Sequence, residues 1–267
     1  MRHRRRNHTR HWTAAGSLAL AAGLAASWYY GFAAPPAHSP GPGGPRLALH
    51  PASPRRPAPG QPPGPQLVTT TLATVRGTSP RYAAPRVRAP GQVPAWWRGA
   101  PSVLPVVATR PGWVRVRLAQ RPDGSQSWLP ARDVTLSSTR YRIVINRATT
   151  HLTLYSGGRQ VFSAPAGIGA VGDPTPAGHY FVAFAERPPQ PGQGYGPFIL
   201  VTSAHSPAIS DWAGSGDAVI GIHGPLGEGR LIGTTGARIS HGCIRLHLPA
   251  LRKLRSVPPG TPIDITR

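Results

Sequence analysis

Tyr141-Arg142-Ile143-Val144-Ile145-Asn146 and His151-Leu152-Thr153-Leu154-Tyr155 stand on either side of a short polar turn, and each reads as a strand. Ser156-Gly157-Gly158-Arg159 makes the next turn, and Gln160-Val161-Phe162-Ser163 continues the meander. Further β-like segments follow at His179 to Ala185, Phe198 to Thr202, Ala218 to Ile222 and Pro262 to Thr266. One short helix is expected near Leu248 to Leu254, because Leu248, Leu251 and Leu254 share a face around the charged Arg252 and Lys253. Many short strands punctuated by Gly and Pro predict a mainly β sandwich or barrel-like domain over residues 140–267.

Upstream, residues 67–137 carry a second set of short β signals. Trp113-Val114-Arg115-Val116-Arg117-Leu118 alternates apolar and basic residues, as a half-exposed strand does. Pro122-Asp123-Gly124-Ser125 is a strong turn, and Ser127-Trp128-Leu129-Pro130 restarts an extended segment. A small β module is expected there, with a structural role favoured over substrate contact. Residues 35–66 lack any helical or strand period and contain Pro40-Gly41-Pro42-Gly43-Gly44-Pro45 and Pro62-Pro63-Gly64-Pro65, the composition of a semi-extended linker. Residues 1–34 open with Met1-Arg2-His3-Arg4-Arg5-Arg6, and from Trp12 to Ala34 contain no Asp, Glu, Lys or Arg. That pattern predicts a signal peptide or an N-terminal membrane anchor through residues 12–34, and hence an extracytoplasmic place in the cell envelope.

The formal net charge is +22, from 30 basic and 8 acidic residues. Such a chain is drawn to polyanions, among them nucleic acid, anionic lipid and an acidic cell wall. The basic residues are scattered through the chain and no nucleic-acid-binding motif accompanies them, so the expected partner is an anionic cell wall and not nucleic acid. Arg in place of Lys, with abundant Ala, Pro and Gly, also fits a GC-rich genome, which does not explain the shortage of Asp and Glu. The single cysteine, Cys243, excludes an internal disulfide and is either an intermolecular partner or a reactive thiol.

Reactive residue types gather in Ala218-Val219-Ile220-Gly221-Ile222-His223-Gly224 and in Arg238-Ile239-Ser240-His241-Gly242-Cys243-Ile244-Arg245-Leu246. A thiolate attacks carbonyls, and a nearby imidazole can take the proton of a thiol whose ordinary pKa is about 8.5. His241 lies two positions before Cys243; were that stretch an extended strand, the two side chains would share a face. Gly224 and Gly242 allow close backbone approach, which suits oxyanion donors or a carbonyl that orients an imidazole. A buried inert thiol is the plainer reading of a lone cysteine. A zinc site of two histidines and one cysteine would lack a fourth protein ligand and the usual spacing, so no metal is expected.

His223, a sixteen-residue gap, then Ser240-His241-Gly242-Cys243-Ile244-Arg245-Leu246 resembles the active-site motif of L,D-transpeptidases. Asp173-Pro174-Thr175-Pro176-Ala177-Gly178 resembles that family's Thr-Pro-x-Gly turn. Ser203-Ala204-His205-Ser206 and Gly260-Thr261-Pro262-Ile263-Asp264-Ile265 resemble segments found in the same order. The similarity covers roughly Tyr141 to Arg267, and the Trp113 to Leu136 stretch resembles the segment preceding many such domains.

The resemblance implies an L,D-transpeptidase-like catalytic domain with Cys243 as nucleophile and His223 as proton acceptor and donor, oriented by the Gly224 carbonyl. It implies that His241 lines the pocket and assists, and that main-chain N–H groups of Gly242 and Cys243 form an oxyanion hole. Arg245 and Ser240 are expected at the substrate, Arg245 against a stem-peptide carboxylate or, equally, in a structural salt bridge. His205 is expected to be structural. No cofactor is implied. The reaction implied is cross-linking of peptidoglycan stem peptides through a Cys thioester. The alternatives are hydrolysis of that thioester, an L,D-carboxypeptidase, or a non-catalytic wall-binding protein.

Overall fold

The computed structural model describes residues 68–189, 192–212, 214–234 and 237–267. The expected signal or anchor over residues 1–34 and the linker over 35–66 lie outside the described residues. Among the described residues no helix is long and apolar enough to cross a membrane.

The chain builds two main sheets in succession. The first holds β1 (Thr70–Val75), β2 (Ser79–Ala84) and β3 (Val87–Val93), then β6 (Val103–Arg110), β7 (Trp113–Arg117), β8 (Gln126–Pro130) and β9 (Val134–Thr139). Between β3 and β6 a small separate hairpin pairs β4 (Trp96–Trp97) with β5 (Ala100–Pro101). The main strands run in the order β3-β2-β8-β7-β6-β1-β9, with antiparallel pairings throughout. Alternation of the kind seen in Trp113 to Arg117 places Val114 and Val116 in the core and Arg115 in solvent. The first sheet ends at Thr139 and the next strand starts at Tyr141, so the passage falls at Arg140, slightly later than the expected position 137.

The second sheet contains β10 (Tyr141–Asn146), β11 (His151–Ser156), β12 (Arg159–Pro165), β14 (Gly178–Glu186), β15 (Ile199–His205), β16 (Val219–His223), β18 (Ile244–Arg245) and β19 (Pro262–Thr266). Their order is β12-β11-β10-β19-β14-β15-β16-β18. Two short strands, β13 (Ile168–Gly169) and β17 (Arg238–Ser240), pair separately and in parallel. The single α-helix among the described residues, α1, spans Leu248–Lys253. It buries Leu251 within itself and Leu254 just beyond its end, on the face that the leucine spacing predicted. The fold is therefore mainly β with one short helix, as the sequence led us to expect.

The middle of the second sheet is covered on both sides. Tyr180, Val182, Leu200 and Ala204 face one core with Ile143, Ile145, Leu152 and the helix leucines. Phe181, Ala183, Phe184, Ile199 and Val201 face a second core, shared with Val75, Leu104, Val116 and Leu129 of the first sheet. Period-two alternation of the strand divides these residues between the cores, and a bulge between Val182 and Phe184 lets both Ala183 and Phe184 turn to the second one. Because the two sheets share this apolar layer, they belong to one compact unit.

Candidate active site

The site is assembled at one edge of the second sheet, where β16 and β18 lie parallel with Ile222 opposite Ile244 and His223 opposite Arg245. Ile220, Ile222, Ile244 and Leu246 point into the core. Alternation then sends Gly221, His223, Cys243 and Arg245 to the opposite face. Continuing the register backwards sets Cys243 beside Gly221, and the Gly221 N–H lies 3.4 Å from the Cys243 sulfur. A side chain at 221 would sit 3.0 Å from Ile199 and 3.8 Å from Cδ2 of the His223 ring. Its absence leaves the space beside the imidazole to the thiol.

His223 is buried, and its Nδ1 donates to the Gly224 carbonyl at 2.8 Å. That bond fixes the tautomer with Nε2 unprotonated and able to accept. The Tyr195 ring packs edge-on at 5.0 Å from the His223 ring, and the Gly224 N–H donates to the Tyr195 carbonyl at 2.6 Å. Burial pushes the His223 pKa down to about 4; the bond to Gly224 opposes the shift and the charge of Arg245 adds to it. Burial also raises the Cys243 thiol, against the opposing effect of the Gly221 N–H. Both groups are therefore uncharged at rest near neutral pH. Cys243 as a residue is half-buried and lines a cleft of about 250 Å³ together with His223, His241 and Arg245.

His241, Gly242 and Cys243 do not form the extended segment on which face-sharing was argued. β17 ends at Ser240, β18 begins at Ile244, and the residues between them bend through Gly242 at φ +115. A side chain there would be strained and would also run into Ile220. The bend turns His241 outward: its side chain is 60% exposed, with Nε2 3.9 Å from Asp173 and its ring 5.3 Å from that of Trp212. His241 thus forms an exposed part of the cleft wall, while the buried His223 lines the same cleft as Cys243.

Two other expectations change. Gly242 N–H, expected as an oxyanion donor, instead donates to the Ser240 hydroxyl at 3.1 Å, and that hydroxyl donates to the Cys243 carbonyl at 2.6 Å. Ser240, expected at the substrate, lines the cleft but is only 3% exposed, and its hydroxyl ties the Cys243 loop together. Arg245 forms an ion pair with Glu228 through Nη1, and its Nε is buried without a partner. Thr175 explains part of the Thr-Pro-x-Gly resemblance. Its hydroxyl donates to the Gly242 carbonyl at 2.7 Å and accepts the Gly169 N–H at 2.9 Å, which pins the bend from behind.

His205 lies in a different setting. Its Nδ1 is 2.6 Å from Asp123 and its Nε2 3.2 Å from Asp217, with the side chain 1% exposed. Asp123 comes from the turn before β8, so the contact joins the two sheets. Arg121 adds a bond to Asp217 at 2.9 Å and bonds to the carbonyls of Ser206 and Ile209 at 3.0 Å each. Burial works against the Asp217 carboxylate, but Arg121, the Ala218 N–H and His205 outweigh it and hold its pKa below the usual value. These bonds fix the loop after β15, from which Ile209 and Trp212 line the cleft.

Tyr195 and Trp212 had escaped the sequence reading. The readable signal for Tyr195 was a tyrosine set among glycines in Gly192-Gln193-Gly194-Tyr195-Gly196; for Trp212 there was none. Among the described residues no three of His, Cys, Asp and Glu gather closely enough to hold a metal ion.

Residues 140–265 match the family model described as the L,D-transpeptidase catalytic domain, YkuD. Over 127 residues the chain is 31% identical to the YkuD protein of Bacillus licheniformis, which is named for the L,D-transpeptidases; the match covers 47% of this chain and 66% of that protein. Its counterpart in Bacillus subtilis is 28% identical over 128 residues, covering 48% and 66%. The chain thus spans just under two thirds of the curated relatives it matches. Among solved structures, an L,D-transpeptidase from Mycobacterium smegmatis is 20% identical with a TM-score of 0.38, covering 58% of this chain and 91% of that one. The catalytic domain of the Enterococcus faecium L,D-transpeptidase is 24% identical with a TM-score of 0.34, covering 47% and 96%. Through residues 140–265, this chain is thus similar to the L,D-transpeptidase catalytic domain, YkuD.

Proposed function

We propose that this chain is an exported acyltransferase that cross-links peptidoglycan stem peptides through a thioester on Cys243. The observation that carries the reading is the state of His223. Its Nδ1–H is fixed on the Gly224 carbonyl, which leaves Nε2 as a proton acceptor on the face that also bears the Cys243 sulfur.

The resting pair is neutral, so the proton leaves the thiol as the sulfur attacks and not beforehand. Sulfur bonds to the carbonyl carbon of the diamino acid that precedes the terminal D-residue of a donor stem, and His223 Nε2 takes the thiol proton. The carbonyl oxygen becomes an oxyanion. With Gly242 N–H committed to Ser240, the Cys243 N–H is the remaining main-chain donor of the pair expected there. Collapse breaks the peptide C–N bond, and the departing amine receives the proton from His223, leaving the thioester. An amine of a second stem then attacks the thioester while His223 takes its proton. The thiol re-forms and an amide joins the two stems. Arg245 lines the cleft with Nη1 on Glu228, so a substrate carboxylate would have to share or displace that ion pair.

The test uses the purified protein, a tetrapeptide stem and a carbapenem. Intact-mass spectrometry is expected to show a covalent carbapenem adduct on the wild type and none on Cys243→Ala; an adduct on that variant would remove Cys243 from the mechanism. With stems alone, a dimeric product supports transpeptidation. A shortened monomer without dimer replaces it with carboxypeptidase action. Binding to wall sacculi without turnover or adduct leaves only a wall-binding protein held by its positive charge.

A further inference from the structure

The cleft is not walled by the second sheet alone. Arg98, from the β4–β5 hairpin of the N-terminal half, lines it together with Glu186 and Pro189. Trp97 pairs with Ala100, so Arg98 and Gly99 make a two-residue connection, and both have positive φ, +50 and +80. That is the backbone pattern of a type I′ turn, in which the first central position favours Asn, Asp or Gly. An arginine held there is strained.

The Arg98 side chain is exposed, and among the described residues it makes no hydrogen bond and no ion pair within 4 Å. Its guanidinium leans over the Trp97 ring at 5.8 Å. Trp97 in turn packs edge-on against Phe184 of β14 at 5.5 Å, which anchors the hairpin to the catalytic sheet. The hairpin is thus held in place while its charged tip, close enough to Glu186 for its charge to favour that carboxylate, forms no ion pair within 4 Å. Arg98 and Arg245 are the two arginines lining the cleft, and Arg245 is already paired with Glu228.

We propose that Arg98 binds a carboxylate of the stem peptide, so that the N-terminal sheet supplies a specificity-determining residue to the catalytic cleft. This rests on the reading of the cleft as a stem-peptide site. Planar, charge-assisted pairing of guanidinium with carboxylate is the chemistry that an exposed, pre-positioned arginine provides.

The experiment measures thioester formation on Cys243 with a tetrapeptide stem, comparing the wild type, Arg98→Asn and Arg98→Lys. Asparagine suits the turn, so Arg98→Asn is expected to keep or raise the melting temperature. Its KM should rise about tenfold, the loss of one charge-assisted contact, with kcat little changed. Arg98→Lys should recover part of the loss. A stem whose carboxylates are converted to amides should weaken the wild type and leave Arg98→Asn nearly unaffected, as coupling of the two groups requires. An unchanged KM in Arg98→Asn, or an equal loss on amidation in both proteins, would overturn the proposal. Absence of any stem acylation in the wild type would instead sink the stem-peptide reading, and the proposal with it.

Discussion

His223 and His205 are both buried histidines close to the same cleft, and they differ in what their second ring nitrogen meets. His223 gives Nδ1 to a backbone carbonyl, and its other nitrogen has no hydrogen-bond partner among the described residues. His205 has a carboxylate at each nitrogen, Asp123 from the first sheet and Asp217 from the loop before β16. A ring with one fixed and one open nitrogen can accept and return a proton, whereas a ring held at both ends works as a rivet. Burial alone therefore does not mark a catalytic histidine.

The largest expected effect comes from removing the open nitrogen. His223→Gln should lower the rate of Cys243 acylation by about a thousandfold in single-turnover mass spectrometry, with circular dichroism unchanged. A rate within tenfold of the wild type would transfer the proton-acceptor role elsewhere, with His241 the first candidate to examine. His205→Gln should leave the chemical step far less affected once folded protein is counted.

Protonation distinguishes the two rings next. Folding lowers the His223 pKa from 6.5 to about 4, so between those values the unfolded chain binds more protons at this position than the native one. Its contribution is complete above about pH 6.5 and is lost as pH falls towards 4, by up to about 3 kcal/mol. Denaturant melts from pH 7 to pH 4 should show that slope in the wild type and a shallower one in His223→Gln. Parallel slopes would show that the ring is not buried in its neutral form.

Removing the rivet should cost stability more than chemistry. His205→Gln leaves two carboxylates facing a neutral side chain; because each keeps 26% of its side-chain exposure, about 2 kcal/mol is expected and not the larger cost of a fully buried pair. Urea melts measure it. A neutral result would remove His205 as a link between the sheets. The smallest effect should be that of Thr175→Val, which withdraws the support from the bend that carries Cys243. It should cost about 1–2 kcal/mol in the same melts, and the nucleophile should react more slowly with a carbapenem.

Much of this architecture was legible because it is local. The strand Tyr141–Asn146 and the strand Pro262–Thr266 occur where their sequence places them, and the leucines of α1 fall on the buried face. The bend at His241-Gly242-Cys243 was not legible as such, since a two-residue spacing reads the same in a strand and in a turn until φ at Gly242 is known. Ser240 looked like a substrate contact for the same reason: a hydroxyl beside a nucleophile shows its partners only when the chain has folded around it.

Sequence by itself determined the mainly β fold of residues 140–267, the nucleophile candidate and its candidate histidine, and the family motif they resemble. Tertiary structure alone decided that Cys243 lies against Gly221 of β16 and that His241 turns outward, because β16 and β18 are joined by register and not by proximity along the chain. It also decided that an arginine and an aspartate more than eighty residues away hold the cleft's wall, and that a hairpin of the first sheet reaches its rim. Such contacts depend on how two sheets share one apolar layer, and a linear pattern of residue types carries no record of that distance.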